Sequence, residues 1–265
     1  MKIATFNING ILARHDALLA WLEEAKPDVA CLQETKKIDT EFPREAFERL
    51  GYRVELHGMK SFNGVAILSK LPLEDVTRRL PGDDADEHTR WIEATVMGRR
   101  PVRVTSLYLP NGNPAPGPKY DFKLAWMERM RLRVAELLKT EEPLVFCGDY
   151  NIIPQPEDAA KPQNWLTDAL FLPASRAAFQ RILNLGMTEA FRARDPRPGQ
   201  YTYWDYQRGA WDRNDGIRID HHLLSPQAAD LLLDAGIDKA VRGHEDASRG
   251  LKPSDHVPVW IELDA

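Results

Sequence analysis

Short apolar runs recur along this chain, and most of them have the length of a β-strand rather than that of a helix. They are the segments 2–7, 28–34, "YRVEL", "GVAILS", "RWIEATVM", "VRVTSLYL", "PLVFCGDYN" and 217–225, and a last run with Val257, Val259, Trp260 and Ile261. So many strands with only a few helices among them predict an α/β layered sandwich.

Helical spacing of apolar residues appears in three segments, 13–25, 119–140 and 175–185. In the first, Leu18, Leu19 and Leu22 lie on one helix face, and Pro27 ends the segment. The proline-rich stretches 109–118 and 154–174 are predicted to be loops. No long low-complexity linker divides the chain, so we expect one domain over residues 1–265.

Composition and charge argue against a membrane protein, a secreted protein and a protein with a basic surface throughout. No apolar run approaches the ~18 residues of a membrane span, and Asn7, Asn9 and Arg14 interrupt any signal-peptide core, so we expect a cytoplasmic protein with no membrane partner. Cys31 and Cys147 lie within apolar runs and are expected to be buried and free. The net charge of −5 argues against a surface that is basic throughout, but it leaves room for a local basic face.

Polar side chains stand at the ends of the apolar strands, where rigid scaffolds commonly carry sites. They are Asn7, Glu34, Tyr108, Asp149 with Asn151, Asp220, and Asp255 with His256. Carboxylates brought together repel one another unless a cation is present. Hard divalent cations such as Mg²⁺ prefer oxygen ligands. The chain has neither the Cys/His spacing of a zinc site nor a glycine-rich nucleotide loop. This residue set therefore favours metal-assisted hydrolysis of a phosphate ester.

Four motifs, "LQETK" (32–36), "GDYN" (148–151), "RIDHHLLS" (218–225) and "SDHVPVW" (254–260), occur in this order along the chain. Together they resemble the exonuclease III family of DNA-repair nucleases, within the endonuclease/exonuclease/phosphatase superfamily. The resemblance spans the whole chain and implies a four-layer α/β/β/α sandwich of two packed mixed sheets flanked by helices. "LQETK" and the aromatic "YTYWDY" are the motifs specific to the repair branch.

The resemblance also implies roles for the polar residues. Glu34 is the expected main Mg²⁺ ligand, with Asn7 and Asp255 supporting it, and Mn²⁺ is expected to substitute. The expected catalytic roles are a water-orienting or proton-accepting Asp149, a transition-state-steadying Asn151, a phosphate-contacting Tyr108, and a phosphate-facing His256 oriented by Asp220. Asp149, Asn151 and His256 are also expected beside the metal. Tyr203, Trp204 and Ile217 match an apolar pocket for a flipped-out deoxyribose, and Asn111 is either near the phosphate or a plain turn residue.

The implied function is that of a 3′→5′ exonuclease on double-stranded DNA, an abasic-site endonuclease and a 3′-end-cleaning phosphatase or phosphodiesterase. The expected partner is double-stranded DNA, especially abasic sites and 3′ ends, and the expected state is a monomer. One alternative is a superfamily phosphatase acting on an inositol phosphate or a phospholipid headgroup. Another is a non-catalytic DNA-binding module on the same fold.

The roles of two groups of residues remain undecided from the sequence. His221 and His222 in "DHH" are either metal ligands or packed, hydrogen-bonded core residues. Five basic residues either contact DNA phosphates or are solvated surface charges: Lys36, Arg90, Lys119, Arg208 and Arg218.

Overall fold

A computed structural model describes residues 1–243 and 250–265, and this part of the chain holds two six-stranded sheets. Sheet 1 has the order β11 (Leu232–Ile237), β12 (Val259–Leu263), β1 (Lys2–Asn7), β2 (Val29–Gln33), β4 (Val65–Ser69), β3 (Arg53–His57). Sheet 2 has the order β5 (Leu73–Arg78), β6 (Trp91–Val96), β7 (Val102–Tyr108), β8 (Leu144–Asp149), β10 (Asp220–Leu224), β9 (Thr188–Glu189). Both sheets are mixed, because β1–β2 and β7–β8 are parallel whereas the other pairs are antiparallel.

Six α-helices flank the sheets in the described part of the chain: α1 (His15–Ala25), α2 (Arg44–Arg49), α3 (Pro118–Leu137), α4 (Pro173–Leu183), α5 (Ala190–Arg194) and α6 (Pro226–Ala229). The three predicted helices are α1, α3 and α4. Helix α1 ends at Lys26, in the left-handed conformation directly before Pro27. None of these helices is both long and apolar enough to cross a membrane.

The central strands are apolar because their two faces are buried in different layers. On β1, Ile3 packs in the core between the sheets, whereas Ala4 and Phe6 pack with Leu18 and Trp21 of α1. The outer face of sheet 2 is covered in the same way by α3 and α4. The result is the predicted four-layer α/β/β/α sandwich.

Three strands, β5, β9 and β11, were not expected from the sequence. All three lie at the edge of a sheet, and none of their residues is fully buried. Edge strands of this kind need no apolar alternation, so the pattern that predicts buried strands does not reveal them.

Candidate active site

The predicted polar residues meet at one edge of the two sheets. The parallel strands β1 and β2 end at Asn7 and directly before Glu34, and the parallel strands β7 and β8 end at Tyr108 and Asp149. Strand β10 runs antiparallel to β8, and its first residue, Asp220, pairs with Asp149. Asp255 and His256 stand just before β12, which pairs antiparallel with β1. Residues far apart in the chain are therefore neighbours at this edge.

The backbone at this edge adopts conformations that need special residues. A Cβ on Gly148 would lie 1.9 Å from the Leu107 carbonyl oxygen, so only glycine lets β8 approach β7 beside Asp149. Glu34 (φ 53°) and Asn151 (φ 47°) are in the left-handed region. Conformations of this kind are sparsely populated and collect at functional sites.

One amide joins two of the carboxylates. Nδ2 of Asn7 donates to Oε1 of Glu34 (3.0 Å) and to Oδ2 of Asp149 (2.9 Å). Glu34 also pairs with Nζ of Lys36 at 2.7 Å. On the other side of the site, Nδ2 of Asn9 donates to Oδ1 of Asp255 at 3.1 Å. Amide and ammonium donors thus fix the directions in which these carboxylates point.

A buried dyad lies beside them. Nδ1 of His256 is 2.9 Å from Oδ2 of Asp220, and its Nε2 is 3.7 Å from Oδ2 of Asp149. Burial would lower the pKa of His256, but Asp220 and Asp149 raise it to about 10. Burial raises the pKa of Asp149 to about 7, against the effect of the nearby His256. One ligand atom from each of these three residues lies within 4.8 Å of the other two, so the cluster could hold a metal ion.

Nine of the twelve predicted site residues line one cavity of about 230 Å³. They are Glu34, Tyr108, Asn111, Asp149, Asn151, Tyr203, Ile217, Asp255 and His256. Asn7 and Asp220 stand behind the cavity wall and hydrogen-bond to the lining residues. Polar groups that converge on one partly apolar cavity are typical of an active site.

Trp204 does not belong to the cavity, contrary to the expectation. Its indole is fully buried, packs edge-on against Trp211 and donates through Nε1 to Oδ1 of Asn214 (3.2 Å). The side chain packs behind the loop that carries Tyr203, outside the lining of the cavity.

The five basic residues considered as contacts for DNA phosphates differ in their exposure. Arg218 is buried, and it pairs with Asp158 (2.8 Å) and Glu189 (3.0 Å), so it is not available to a DNA phosphate. Arg90 stacks over the Tyr108 ring, 4.8 Å from its centroid. Lys36 is partly exposed, and Lys119 and Arg208 are exposed.

The two histidines of "DHH" are buried core residues in the structure. Nδ1 of His221 is 3.0 Å from Nη1 of Arg218, and its Nε2 is 3.1 Å from the Ile152 carbonyl oxygen. His222 lies opposite Cys147 in the β8–β10 pairing. Among the described residues neither histidine belongs to a group able to hold a metal ion. His221 is thus a packed, hydrogen-bonded core residue, whereas His222 is packed in the core with neither ring nitrogen hydrogen-bonded.

Sequence reasoning missed five residues of the cavity wall: Asn113, Trp165, Asp168, Leu170 and Ile219. Four of them lie in the two proline-rich loops, whose path a periodic pattern cannot predict. Ile219 could have been found, because residues two apart on an extended segment share a face and Ile217 was already a candidate.

Comparisons with known proteins identify the family of this chain. The endonuclease/exonuclease/phosphatase family model matches residues 4–256. Exodeoxyribonuclease III of Haemophilus influenzae is 36% identical, over 99% of this chain and 100% of the relative. Two solved structures each cover all of both chains: an AP endonuclease from Archaeoglobus fulgidus (TM-score 0.91, 36% identity) and the 3′ phosphatase NExo from Neisseria bound to a product DNA hairpin (TM-score 0.93, 35% identity). This chain therefore belongs to the endonuclease/exonuclease/phosphatase family.

Proposed function

We propose that this protein is a metal-dependent DNA-repair phosphodiesterase that cuts at abasic sites, degrades 3′ ends of double-stranded DNA and removes blocking groups from those ends. The observation that carries the proposal is the convergence of Glu34, Asp149 and the Asp220–His256 dyad on one cavity. Three relatives that match over the whole chain, an exodeoxyribonuclease, an AP endonuclease and a 3′ phosphatase, support the same conclusion.

The donor set fits Mg²⁺, with Mn²⁺ as a substitute. Glu34 and Asp255 offer carboxylate oxygens to the same cavity, and Asn7 holds Glu34 in place. Oxygen donors of this kind suit hard divalent cations. When bound, the cation supplies positive charge that stabilises the phosphate undergoing attack. We assign Glu34 as its main ligand, with Asn7 and Asp255 in support and with Asp149, Asn151 and His256 beside it.

Four side chains at the cavity accept or donate protons and hydrogen bonds during the reaction. Asp149 orients a water molecule and accepts its proton as the water oxygen attacks phosphorus and the P–O bond to the leaving group breaks. His256, protonated and held by Asp220, donates its Nε2–H to a phosphoryl oxygen. Burial raises the pKa of Tyr108, which therefore keeps its hydroxyl proton as a second donor. The Asn151 amide steadies the transition state beside them.

The apolar side of the cavity suits a sugar that carries no base. Tyr203 and Ile217 pair as an isolated bridge, and Ile219 and Leu170 line the cavity beside them. Extruding an ordinary nucleotide costs a few kcal/mol of stacking and pairing, of which an abasic site has little to lose. Internal incision should therefore be confined largely to abasic sites, with ordinary nucleotides removed at frayed 3′ ends.

We also propose that the protein acts as a monomer in the cytoplasm. Support for the location comes from Cys31 and Cys147, which are both buried and free. Free thiols of this kind are typical of proteins in a reducing compartment.

The test compares three duplexes, one with an internal abasic site, one with a 3′ phosphate and one intact, each assayed with Mg²⁺ and after exhaustive chelation. We expect abasic incision and phosphate release that both require the cation, with little internal cutting of the intact duplex. Asp149→Asn should lose about 10²- to 10⁴-fold in rate, whereas the exposed control Asp230→Asn should match the wild type. Equal incision of abasic and intact duplexes, or full activity after chelation, would contradict the proposal. Hydrolysis of inositol phosphates without DNA cleavage would favour the phosphatase alternative.

A further inference from the structure

A lysine on helix α3 lies fully buried behind the active site. Lys123 has no exposed surface, and its Nζ donates to the backbone carbonyl oxygens of Asn151 (2.6 Å) and Asn111 (3.0 Å). Within the described residues, no carboxylate oxygen lies within the 4.0 Å of an ion pair with this nitrogen. Lysine is almost never fully buried unless it is paired. Here the pairing is with the backbone of two residues that line the cavity.

The lysine stem lies in a tight slot beneath the loop that carries Asn111. A Cβ on Gly112 (φ 90°) would lie 2.6 Å from Cδ of Lys123 and 3.2 Å from Cβ of Ala169. Glycine is therefore needed for the loop to close over the stem. Burial lowers the pKa of Lys123 to about 7, and both the ammonium and the amine form have enough N–H groups to donate to two carbonyls.

These contacts reach the catalytic groups through Asn151. Its backbone is held in the left-handed region, and its N–H donates to Oδ1 of Asp149 at 2.8 Å. Its side chain donates to the Leu109 carbonyl oxygen (2.9 Å) and accepts from Nδ2 of Asn111 (3.2 Å). The carbonyl that accepts from Lys123 and the N–H that donates to Asp149 thus both belong to Asn151.

We propose that Lys123 is a positioning residue of the active site, which holds the Asn111 and Asn151 backbones so that the Asn151 amide and the Asp149 carboxylate keep their places. The inference rests on the proposed nuclease function and adds a residue outside the cavity wall to it. Lys123 acts through Asn151 and does not touch the substrate. Its loss should therefore slow the reaction more than it weakens substrate binding.

The test is Lys123→Met, which keeps the length of the stem and removes the donor, assayed on a 3′-phosphorylated duplex. We expect kcat to fall about 10- to 100-fold, because small displacements of reacting groups have effects of this size, while KM stays within about three-fold. Lys139→Met, at an exposed lysine beyond the end of α3, is the matched control and should leave both constants unchanged.

A double-mutant cycle with Asn151→Ala separates positioning from a general loss of stability. Asn151→Ala removes the side-chain amide but keeps the backbone N–H that reaches Asp149, so Lys123→Met should lower kcat by a smaller factor in the Asn151→Ala background than in the wild type. Equal factors in both backgrounds, or an unchanged kcat in the single variant, would overturn the proposal. If Lys123→Met does not fold, Lys123→Gln replaces it in the same cycle. Because glutamine keeps an amide donor, the Gln variant should have a higher kcat than the Met variant. A wild-type protein without nuclease activity would refute the proposed function instead.

Discussion

The positive charge of His256 depends mainly on the Asp220 carboxylate. In a buried site an imidazole is normally neutral at pH 7, because burial disfavours the charged form. The Asp220 carboxylate at 2.9 Å reverses this preference, with Asp149 adding to it. The pair therefore delivers a fixed N–H donor to the cavity, and Asp220 achieves this without lining the cavity itself.

Replacement of Asp220 by Asn should change the pH dependence of the reaction as well as its rate. Burial lowers the pKa of His256 and Asp220 raises it, so the pKa of about 10 should fall toward or below the ordinary value of 6.5 in Asp220→Asn. The wild type keeps the proton up to about pH 10, whereas the variant should lose it as the pH rises through neutrality. We expect a loss of about 100-fold in kcat/KM at pH 8 and a smaller loss at pH 5.5.

The measurement is a pH–rate profile between pH 5.5 and 9, with Asp230→Asn as the control and an NMR titration of the histidine ring as an independent check. A wild-type to variant ratio that stays constant across this range would show that Asp220 does not set the charge of His256.

At the scale of elements, a buried ionic cluster ties the pocket loops to sheet 2. Arg218, which stands between the pocket residues Ile217 and Ile219, pairs with Asp158 of the 154–174 loop and with Glu189 of β9. Glu189 also caps α5 by accepting from the backbone N–H of Arg192 at 2.8 Å. The loop that carries the cavity wall is thereby fixed to the strand that carries Asp220.

This cluster predicts a specific weakness in acid. Burial would raise the pKa of Glu189, but Arg218, His221 and the amide of Arg192 lower it from 4.5 to about 2. A carboxylate with a lowered folded-state pKa contributes stability above the unfolded-state pKa, and this stability is lost as the pH falls from about 4.5 toward 2. The shift corresponds to roughly 3 kcal/mol.

Glu189→Gln should therefore lower the free energy of unfolding at pH 7 and flatten its decline between pH 5 and 3.5. Urea denaturation at a series of pH values measures both effects. Glu24→Gln, at an exposed position on α1, should leave the curve unchanged. If the Glu189 variant declined as steeply in acid as the wild type, another group would be responsible for the acid lability.

Most of the strands that could be predicted bury both faces, since their apolar runs and polar ends follow from burial in two layers, whereas β3 and the three predicted helices were found from one apolar face. Glu34 and Asp149 were found from the polar ends of such strands, whereas the edge strands β5, β9 and β11 have no such signal. The role of Lys123 could not be predicted, because a lysine within a helix normally extends into solvent. Trp204 lies outside the cavity that Tyr203 lines, because adjacent residues on an extended segment point to opposite sides.

At the scale of the whole molecule, one core joins the two sheets. Ile3, Val29 and Cys31 of sheet 1 pack in the same cluster as Val145 and Cys147 of sheet 2. Neither sheet could retain this face without the other, because each would expose a continuous apolar surface to water. We therefore propose that residues 1–265 form a single domain.

A single domain should unfold in one cooperative step. Trp21 reports on the α1 side of sheet 1, and Trp91 and Trp126 report on the helical side of sheet 2. We expect tryptophan fluorescence and far-ultraviolet circular dichroism to give superimposable urea transitions. In a variant that keeps only Trp21, and in one that keeps only Trp126, the fluorescence midpoint should equal the circular-dichroism midpoint of the same variant. Different midpoints for the two probes in one variant would indicate two folding units.

The pairing of β12 with β1 has a consequence for synthesis in the cell. In sheet 1, β1 lies between β2 and β12, and the Met1 amino group donates to the Leu263 carbonyl oxygen at 2.6 Å. A chain growing on the ribosome therefore exposes Asn7 and Glu34 long before Asp255, His256 and β12, the antiparallel partner of β1, emerge. A nuclease built in this order cannot cut DNA until residues 255–263 have left the ribosome and β12 has paired with β1.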